Sequence, residues 1–256
     1  MKKFFVIGEN TSKSLSPLIF NHWFKKHNIK ASYGFIEIKK KNFNKKISEI
    51  LKQDEVFGLN ITIPFKKKII PHLHNTDRHS KNIGAVNCIK FYNKKTKGFN
   101  TDWAGYGMCV EKVKLHKNKP ILIIGYGGAS QAIIYYLKKN KFNNITVFNR
   151  SKKLLEKQKT YTKKTKDIEK KLFGAGLIIN TTPTNVFNKP LSKKVPKETI
   201  TSDIVYSPKQ TMFLKRFETQ KKIFGIDMLI NQAVLSFKEW FGFYPAIDKK
   251  LKQKLE

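Results

Sequence analysis

The sequence predicts an α/β protein of two domains, each built on a mainly parallel sheet covered by helices. Short β-branched or aromatic runs alternate with helical-length segments along the chain, the pattern of repeated strand–helix–strand units. A content of 40% hydrophobic and 12% aromatic residues supplies a real core. It excludes a disordered basic protein, whose mark is low hydrophobicity with high net charge. A length of 256 residues suits one large or two modest domains.

The opening MKKFFVIG carries an apolar run that ends at Gly8. That run is too short for a signal-peptide core, so residues 4–7 read as a first strand. Further strands are expected at 33–38, 58–61, 86–91, 121–124, 145–148, 177–179, 204–206 and 223–224, where β-branched and aromatic residues cluster. Helices are expected at 17–27, with Pro17 in the first turn, and at 43–51, 102–113, 129–139 and 212–220. Residues 151–172 are lysine-rich with a weak apolar pattern, which reads as one or two exposed helices. From Met228 onward come a longer amphipathic helix and a tail helix. The polar connection KLHKNKP (114–120) precedes a strongly apolar strand and marks a domain boundary close by. No stretch reaches membrane-spanning length. Cys88 and Cys109 have neither disulfide-framework nor metal spacing, so a reducing, cytoplasmic location is expected and no metal site.

The formal charge of +34, from 52 Lys+Arg against 18 Asp+Glu, is the footprint of a nucleic-acid binder only if it is concentrated and arginine-bearing. Here it is neither. Arg78, Arg150 and Arg216 are the sole arginines, and the lysines are spread from end to end. Phosphate and base recognition favour the planar arginine fork. The bulk charge therefore reads as solvated surface, with nonspecific polyanion affinity at low salt.

The segment ILIIGYGGASQAIIYYL (121–137) is a buried strand, a glycine turn and a helix. Glycines at 125, 127 and 128 permit a tight turn and a close approach of backbone amides to a pyrophosphate, at a helix end that favours negative charge. Ser130 stands where the third small residue of a dinucleotide fingerprint falls. The next strand ends in VFNRSKK, at the distance where an NAD site places an acid on the ribose 2′-hydroxyl. There is no acid there, but Asn149, Arg150, Ser151, Lys152 and Lys153. A carboxylate would repel a 2′-phosphate, whereas this set would hold one, which selects NADP(H) over NAD. Cations at a helix start are mildly unfavourable, so the run asks for another reason.

Four more clusters carry polar residues at strand ends or turns: SKSLSP (12–17), NITIPFK (60–66), GAVN (84–87) and NTDWAGY (100–106). Singly each has an ordinary reading. Ser14 and Ser16 before Pro17 suit a helix cap; Asn87 and Asn100 suit turns, and Asp102 an N-cap. Together and in this order, ahead of the glycine turn and followed by LIINTTP (177–183), DIVYSP (203–208) and GIDMLINQA (225–233), they resemble the shikimate dehydrogenase family over nearly the whole chain.

The resemblance implies NADPH-linked reduction of 3-dehydroshikimate to shikimate. It also implies a mostly parallel, mixed-sheet substrate domain and a Rossmann-like NADP-binding domain with a cleft between them, over 1–101 plus 234–256 and 102–233. By motif, Lys66 and Asp102 would be catalytic. Ser14 and Ser16 would meet the substrate carboxylate, and Thr62, Lys66, Asn87 and Asp102 its ring side. Tyr206 and Gln232 would reach it from the second domain. Gly125, Tyr126, Gly127, Gly128 and Ala129 would hold the pyrophosphate, and Asn149 to Lys153 the 2′-phosphate. Ile204 and Gly225 would lie by the nicotinamide. Tyr126 is bulkier than the usual alanine, and Phe224 replaces the Asp or Asn often found there.

A sibling enzyme oxidising quinate is the nearest alternative, and a noncatalytic NADP- or nucleic-acid-binding module a more distant one. The expected partner is the small-molecule substrate, with no specific nucleic acid and no membrane, in a monomer or homodimer. In NITIPFKKKII (60–70), Lys67 and Lys68 read as solvated charge at a helix start, and Lys66 as the residue set apart by the preceding turn.

Overall fold

The computed structural model describes residues 1–155, 160–164, 167–183, 187 and 195–255. The chain divides into two compact units, Met1–Asp102 with Ile230–Glu256, and Trp103–Leu229. Asp102 and residues 230–233, Gln232 among them, thus group with the first unit, whereas the expected bounds carried them in the second.

In chain order the first unit holds β1 (Lys2–Gly8), α1 (Ser16–Lys26), β2 (Ala31–Glu37), α2 (Phe43–Ile50), β3 (Val56–Ile61), β4 (Asn75–Thr76), α3 (Arg78–Ile83), β5 (Cys88–Tyr92) and β6 (Lys95–Phe99). Its sheet runs β2-β1-β3-β5-β6-β4. β1 is parallel to both β2 and β3, while β5 is antiparallel to β3 and β6. α1 begins at a proline turn and buries Ile19, Phe20, Trp23 and Phe24, the one-face spacing of an amphipathic helix. α2 does the same with Phe43, Ile47 and Ile50. α3, β4 and β6 were not anticipated. α3 is only six residues long, defined by the Asp77 carboxylate accepting from the Ser80 and His79 amides at one end and by Gly84 at φ 74° at the other. β6 reads KTKGF, too lysine-rich to register as a strand.

The expected helix start at Lys67 and Lys68 is instead a turn leading into a short 3-10 segment, Ile70–His72. Pro71 lies within that segment and favours a first helical turn only. Both lysines are exposed.

The second unit holds α4 (Asp102–Val113), whose first residue belongs to the first unit, then β7 (Ile121–Ile124), α5 (Gly128–Lys139) and β8 (Ile145–Asn149). After these come β9 (Leu154–Leu155), β10 (Thr160–Tyr161), β11 (Lys163–Lys164), α6 (Glu169–Leu172), β12 (Leu177–Asn180), β13 (Ile200–Asp203), α7 (Met212–Lys215) and β14 (Lys221–Ile223). α8 (Gly225–Phe241) starts in this unit and ends in the first, which α9 (Lys249–Leu255) completes. The main sheet runs β11-β8-β7-β12-β13-β14, all parallel. That is the doubly wound order, with its reversal between β7 and β12. Alternate residues of the strands enter two cores: Ile121, Ile123, Leu177 and Ile179 one, Leu122, Ile124, Ile178 and Phe148 the other. Continuous apolar strands buried on both faces are what such a sheet requires.

Three expectations fail in this unit. The described part of 151–172 is chiefly strand fragments, with one turn of helix, α6, rather than exposed helices; residues 156–159 and 165–166 lie outside the described residues. The strand expected at 204–206 is β13, four residues earlier, because ITSD is a fully buried strand whose polar side chains are satisfied internally. The helix expected at 212–220 ends at Lys215. Among the described residues, no helix is long and apolar enough to cross a membrane.

The first unit's core is aromatic. The rings of Phe4 and Phe20 pack tilted against Trp240, with centroids 4.8 and 5.1 Å from it, and the Trp240 Nε1–H donates to the Ile89 carbonyl at 2.9 Å. Gly58 of β3 lies beneath them: an added Cβ meets Trp240 Nε1 at 2.6 Å and Phe4 Cδ1 at 2.7 Å. Gly58→Ala is therefore expected to cost about 1–3 kcal/mol by overpacking, read as a lower urea midpoint at unchanged slope.

Candidate active site

Lys66 follows the end of β3 in a turn pinned from below. Phe65 is fully buried and stacks on Phe43 at 4.2 Å, and the Val86 amide donates to the Lys66 carbonyl at 2.8 Å. The side chain is thereby directed at Asp102, the first residue of α4, and Nζ donates to Oδ2 at 2.6 Å. The two side chains retain 13% and 5% of their exposure, so this is a largely desolvated, charge-assisted bond. The other carboxylate oxygen, Oδ1, accepts from Asn87 Nδ2 at 2.9 Å, and the Asp102 amide donates to Asn100 Oδ1 at 3.1 Å. A carboxylate in the first turn of a helix also gains from the helix dipole.

Asn87 is the hub of this cluster. Its amide nitrogen also donates to Thr101 Oγ1 at 2.9 Å and Gln232 Oε1 at 3.3 Å, while its oxygen accepts the Thr101 amide at 2.6 Å. Lys66, Asn87, Asp102 and Gln232, expected separately from four motifs, thus form one bonded group inside the first unit. Gln232 was expected to act from the second domain; its place with the first follows from these bonds to Asn87 and Thr101.

The group extends through Asn60 to Tyr33 and Ser236. Asn60 Nδ2 donates to the Asn87 carbonyl and to Ser236 Oγ, both at 3.0 Å, and Asn60 Oδ1 accepts from the Tyr33 hydroxyl at 2.7 Å. Burial pushes the Tyr33 phenol well above the ordinary range, a shift that the Ser16 side chain partly offsets. Ser14 Oγ accepts the Ser16 amide at 3.2 Å. The loop bearing both serines is held by Glu37 at the end of β2, whose carboxylate accepts the Thr11 and Ser12 amides at 2.7 and 2.8 Å. Those bonds, the Ser12 amide first, keep the Glu37 carboxyl below its ordinary range. Thr62 is half-buried beside Gly8, where an added Cβ would meet its methyl at 2.5 Å.

Tyr33, Asn60, Thr101 and Ser236 support this cluster and were not singled out from sequence. Asn60 and Thr101 lie inside motifs already quoted, so their position was a usable signal; Tyr33 and Ser236 carried none.

In the second unit, β7 runs into Gly125 at φ 97°, a left-handed conformation that L side chains rarely adopt. A Cβ there would also meet Thr181 Oγ1 at 2.6 Å. Gly127 precedes α5 with nothing within 4 Å of an added Cβ. Gly128 and Ala129 open the helix, and Tyr126 packs on the core below. Ser130 is buried and donates to the Gly125 carbonyl at 2.9 Å. The departure at the fingerprint's third position thus braces the turn.

At the end of β8, Arg150, Ser151, Lys152 and Lys153 are exposed. Asn149 Nδ2 is bonded to the Ser151 carbonyl at 2.9 Å and its hydroxyl at 3.4 Å. Ile204 and Tyr206 lie half-buried just past β13, and Gly225 opens α8. The open glycine turn at a helix N-terminus fits a pyrophosphate. The basic, acid-free end of β8 fits a ribose 2′-phosphate.

Known proteins resemble this chain from end to end. Residues 6–89 match the model of the shikimate dehydrogenase substrate binding domain, and residues 225–249 that of the shikimate 5′-dehydrogenase C-terminal domain. The NADP(+) shikimate dehydrogenase of Clostridium perfringens strain 13 is 35% identical over 272 residues, covering 100% of this chain and 97% of that protein. The one from Staphylococcus haemolyticus is 36% identical over 257 residues, with 96% and 94% covered. The crystal structure of shikimate dehydrogenase from Aquifex aeolicus superposes with a TM-score of 0.86 at 32% identity, over 100% of this chain and 97% of that one. Sequence motifs, two-unit α/β architecture and end-to-end similarity converge, and the chain belongs to the shikimate dehydrogenase family.

Proposed function

We propose that this protein is an NADP-dependent oxidoreductase that reduces 3-dehydroshikimate to shikimate, reversibly, at C3. The observation that carries the reading is the Lys66–Asp102 pair at 2.6 Å, set among amide and hydroxyl groups suited to a small polyol acid. NADPH, when bound, supplies the hydride. Gly125, Tyr126, Gly127, Gly128 and Ala129 hold its pyrophosphate, and Asn149, Arg150, Ser151, Lys152 and Lys153 its 2′-phosphate. Ile204 and Gly225 would border the nicotinamide.

Lys66 Nζ gives a proton to the C3 oxygen during reduction and takes it back during oxidation. Its ammonium also stabilises negative charge developing on that oxygen. Asp102 anchors the ammonium and presents its carboxylate to a ring hydroxyl. Asn87 and Thr62 pair the remaining hydroxyls, with Gln232 and Tyr206 completing the set, and Ser14 and Ser16 donate to the substrate carboxylate. A site built to bond hydroxyls rejects analogues lacking them, because its own groups are left unpaired.

The test is one spectrophotometric assay, shikimate or quinate crossed with NADP+ or NAD+, following the reduced cofactor. Turnover is expected to be fastest with shikimate and NADP+. Turnover confined to quinate with NAD+, or none with any pair, overturns the reading.

A further inference from the structure

A second buried polar group lies at the carboxyl ends of β12 and β13, and the roles given above leave it unused. Asp203, the last residue of β13, is 2% exposed. Its Oδ1 accepts the Val205 amide at 3.0 Å and Asn180 Nδ2 at 3.1 Å, and its Oδ2 accepts the Thr211 hydroxyl at 2.7 Å. All three donors are neutral, and burial raises the carboxyl above its ordinary range. The first bond closes a local turn that fixes the backbone directly before Tyr206. Asn180 in turn accepts the Thr182 amide at 3.0 Å and hydroxyl at 2.7 Å, and Thr181 donates to the Ile124 carbonyl at 2.7 Å, at the foot of the glycine turn.

The same segment is hemmed in from its other side by Gly225. A Cβ on Gly225 would collide with the carbonyl oxygens of Ile204 and Val205, so only glycine allows α8 to begin this close to them. Ile204 to Tyr206 therefore has a hydrogen-bonded anchor on one side and a backbone wall on the other. We infer that Asp203 is a positioning residue, holding Ile204 and Tyr206 against the sheet end in the geometry the dehydrogenase reaction needs. This rests on the function proposed above.

The test is a double-mutant cycle of Asp203→Ala with Tyr206→Phe, combined with amide hydrogen exchange. Asp203→Ala is expected to lower kcat/KM for shikimate by about tenfold or more, since a misplacement near 1 Å is that costly. Asp203→Asn, whose amide oxygen still accepts the Val205 N–H, recovers most of the loss. In the Tyr206→Phe background Asp203→Ala adds little, as expected of residues acting through one another. The Val205 and Tyr206 amides exchange faster in Asp203→Ala.

Should Asp203→Ala fail to fold, Thr211→Val removes one of the three donors and enters the same cycle, with a smaller loss that again vanishes beside Tyr206→Phe. A kcat/KM within twofold of the parent, losses that multiply independently, or unchanged exchange overturns the inference. A parent protein without shikimate dehydrogenase activity overturns the proposed function instead, and the exchange measurement still reads whether Asp203 anchors the segment.

Discussion

Lys66→Met is expected to lower kcat for shikimate oxidation by about 10²–10⁴-fold, the usual contribution of a positioned proton-transfer group. Methionine keeps a stem of similar length packed in the turn above Phe65 and removes only the ammonium. KM for NADP+ should stay within about twofold, because the nucleotide residues belong to the other unit, and sites without shared partners are usually independent. A fixed cation without proton transfer predicts a different result: Lys66→Arg would retain much of kcat, since guanidinium restores the charge but does not give up its proton. Near-normal turnover of Lys66→Met with an unaltered pH profile would exclude both roles.

Asp102→Ala is expected to lower stability by about 3 kcal/mol, the lower end for breaking a buried ion pair, and to abolish most turnover. The lower end applies because the Lys66 side chain, 13% exposed, can recover some hydration. The cost lies chiefly in what is left behind: a largely buried ammonium without its carboxylate, and an Asn87 amide deprived of one acceptor. The double variant Lys66→Met/Asp102→Leu removes both charges and fills the space with apolar groups, so it should regain most of the lost stability and remain inactive. Urea unfolding of the parent, both single variants and the double variant checks this directly. A double variant as unstable as Asp102→Ala would show that packing rather than an orphaned charge governs the site.

Lys66 was legible because its setting is contiguous: a strand, a proline turn and a lysine within seven residues. The glycine turn after β7 was legible for the same reason, since tight turns at helix starts are written in adjacent residues. Elements failed where burial contradicts composition. β13 reads ITSD, and only the bonds of Thr201 to Thr219, Ser202 to Tyr106 and Asp203 to Thr211 make it a fully buried strand. The apolar neighbours Ile204 to Tyr206 drew the strand expectation instead and form the segment beyond it. Residues 151–172 misled in the opposite sense. Weak helical periodicity in a lysine-rich stretch gave no hint that Lys163–Lys164 adds an edge strand beside β8.

Tyr33 and Ser236 show the limit of local reading most plainly. Neither stands in a motif, yet each meets Asn60, from 27 and 176 residues away respectively. From the sequence alone come the α/β class, the glycine turn after β7, the basic rather than acidic end of β8, and the choice of Lys66 among three consecutive lysines, because each is encoded by residues that are neighbours along the chain. The tertiary structure alone decided that Asn87 is the hub joining Asp102 to Gln232, 145 residues from it, and that Asp203 is satisfied by Asn180, Val205 and Thr211 together. Buried polar groups must find partners wherever the sheet order brings them, and sheet order is set by the packing of whole elements rather than by spacing along the sequence.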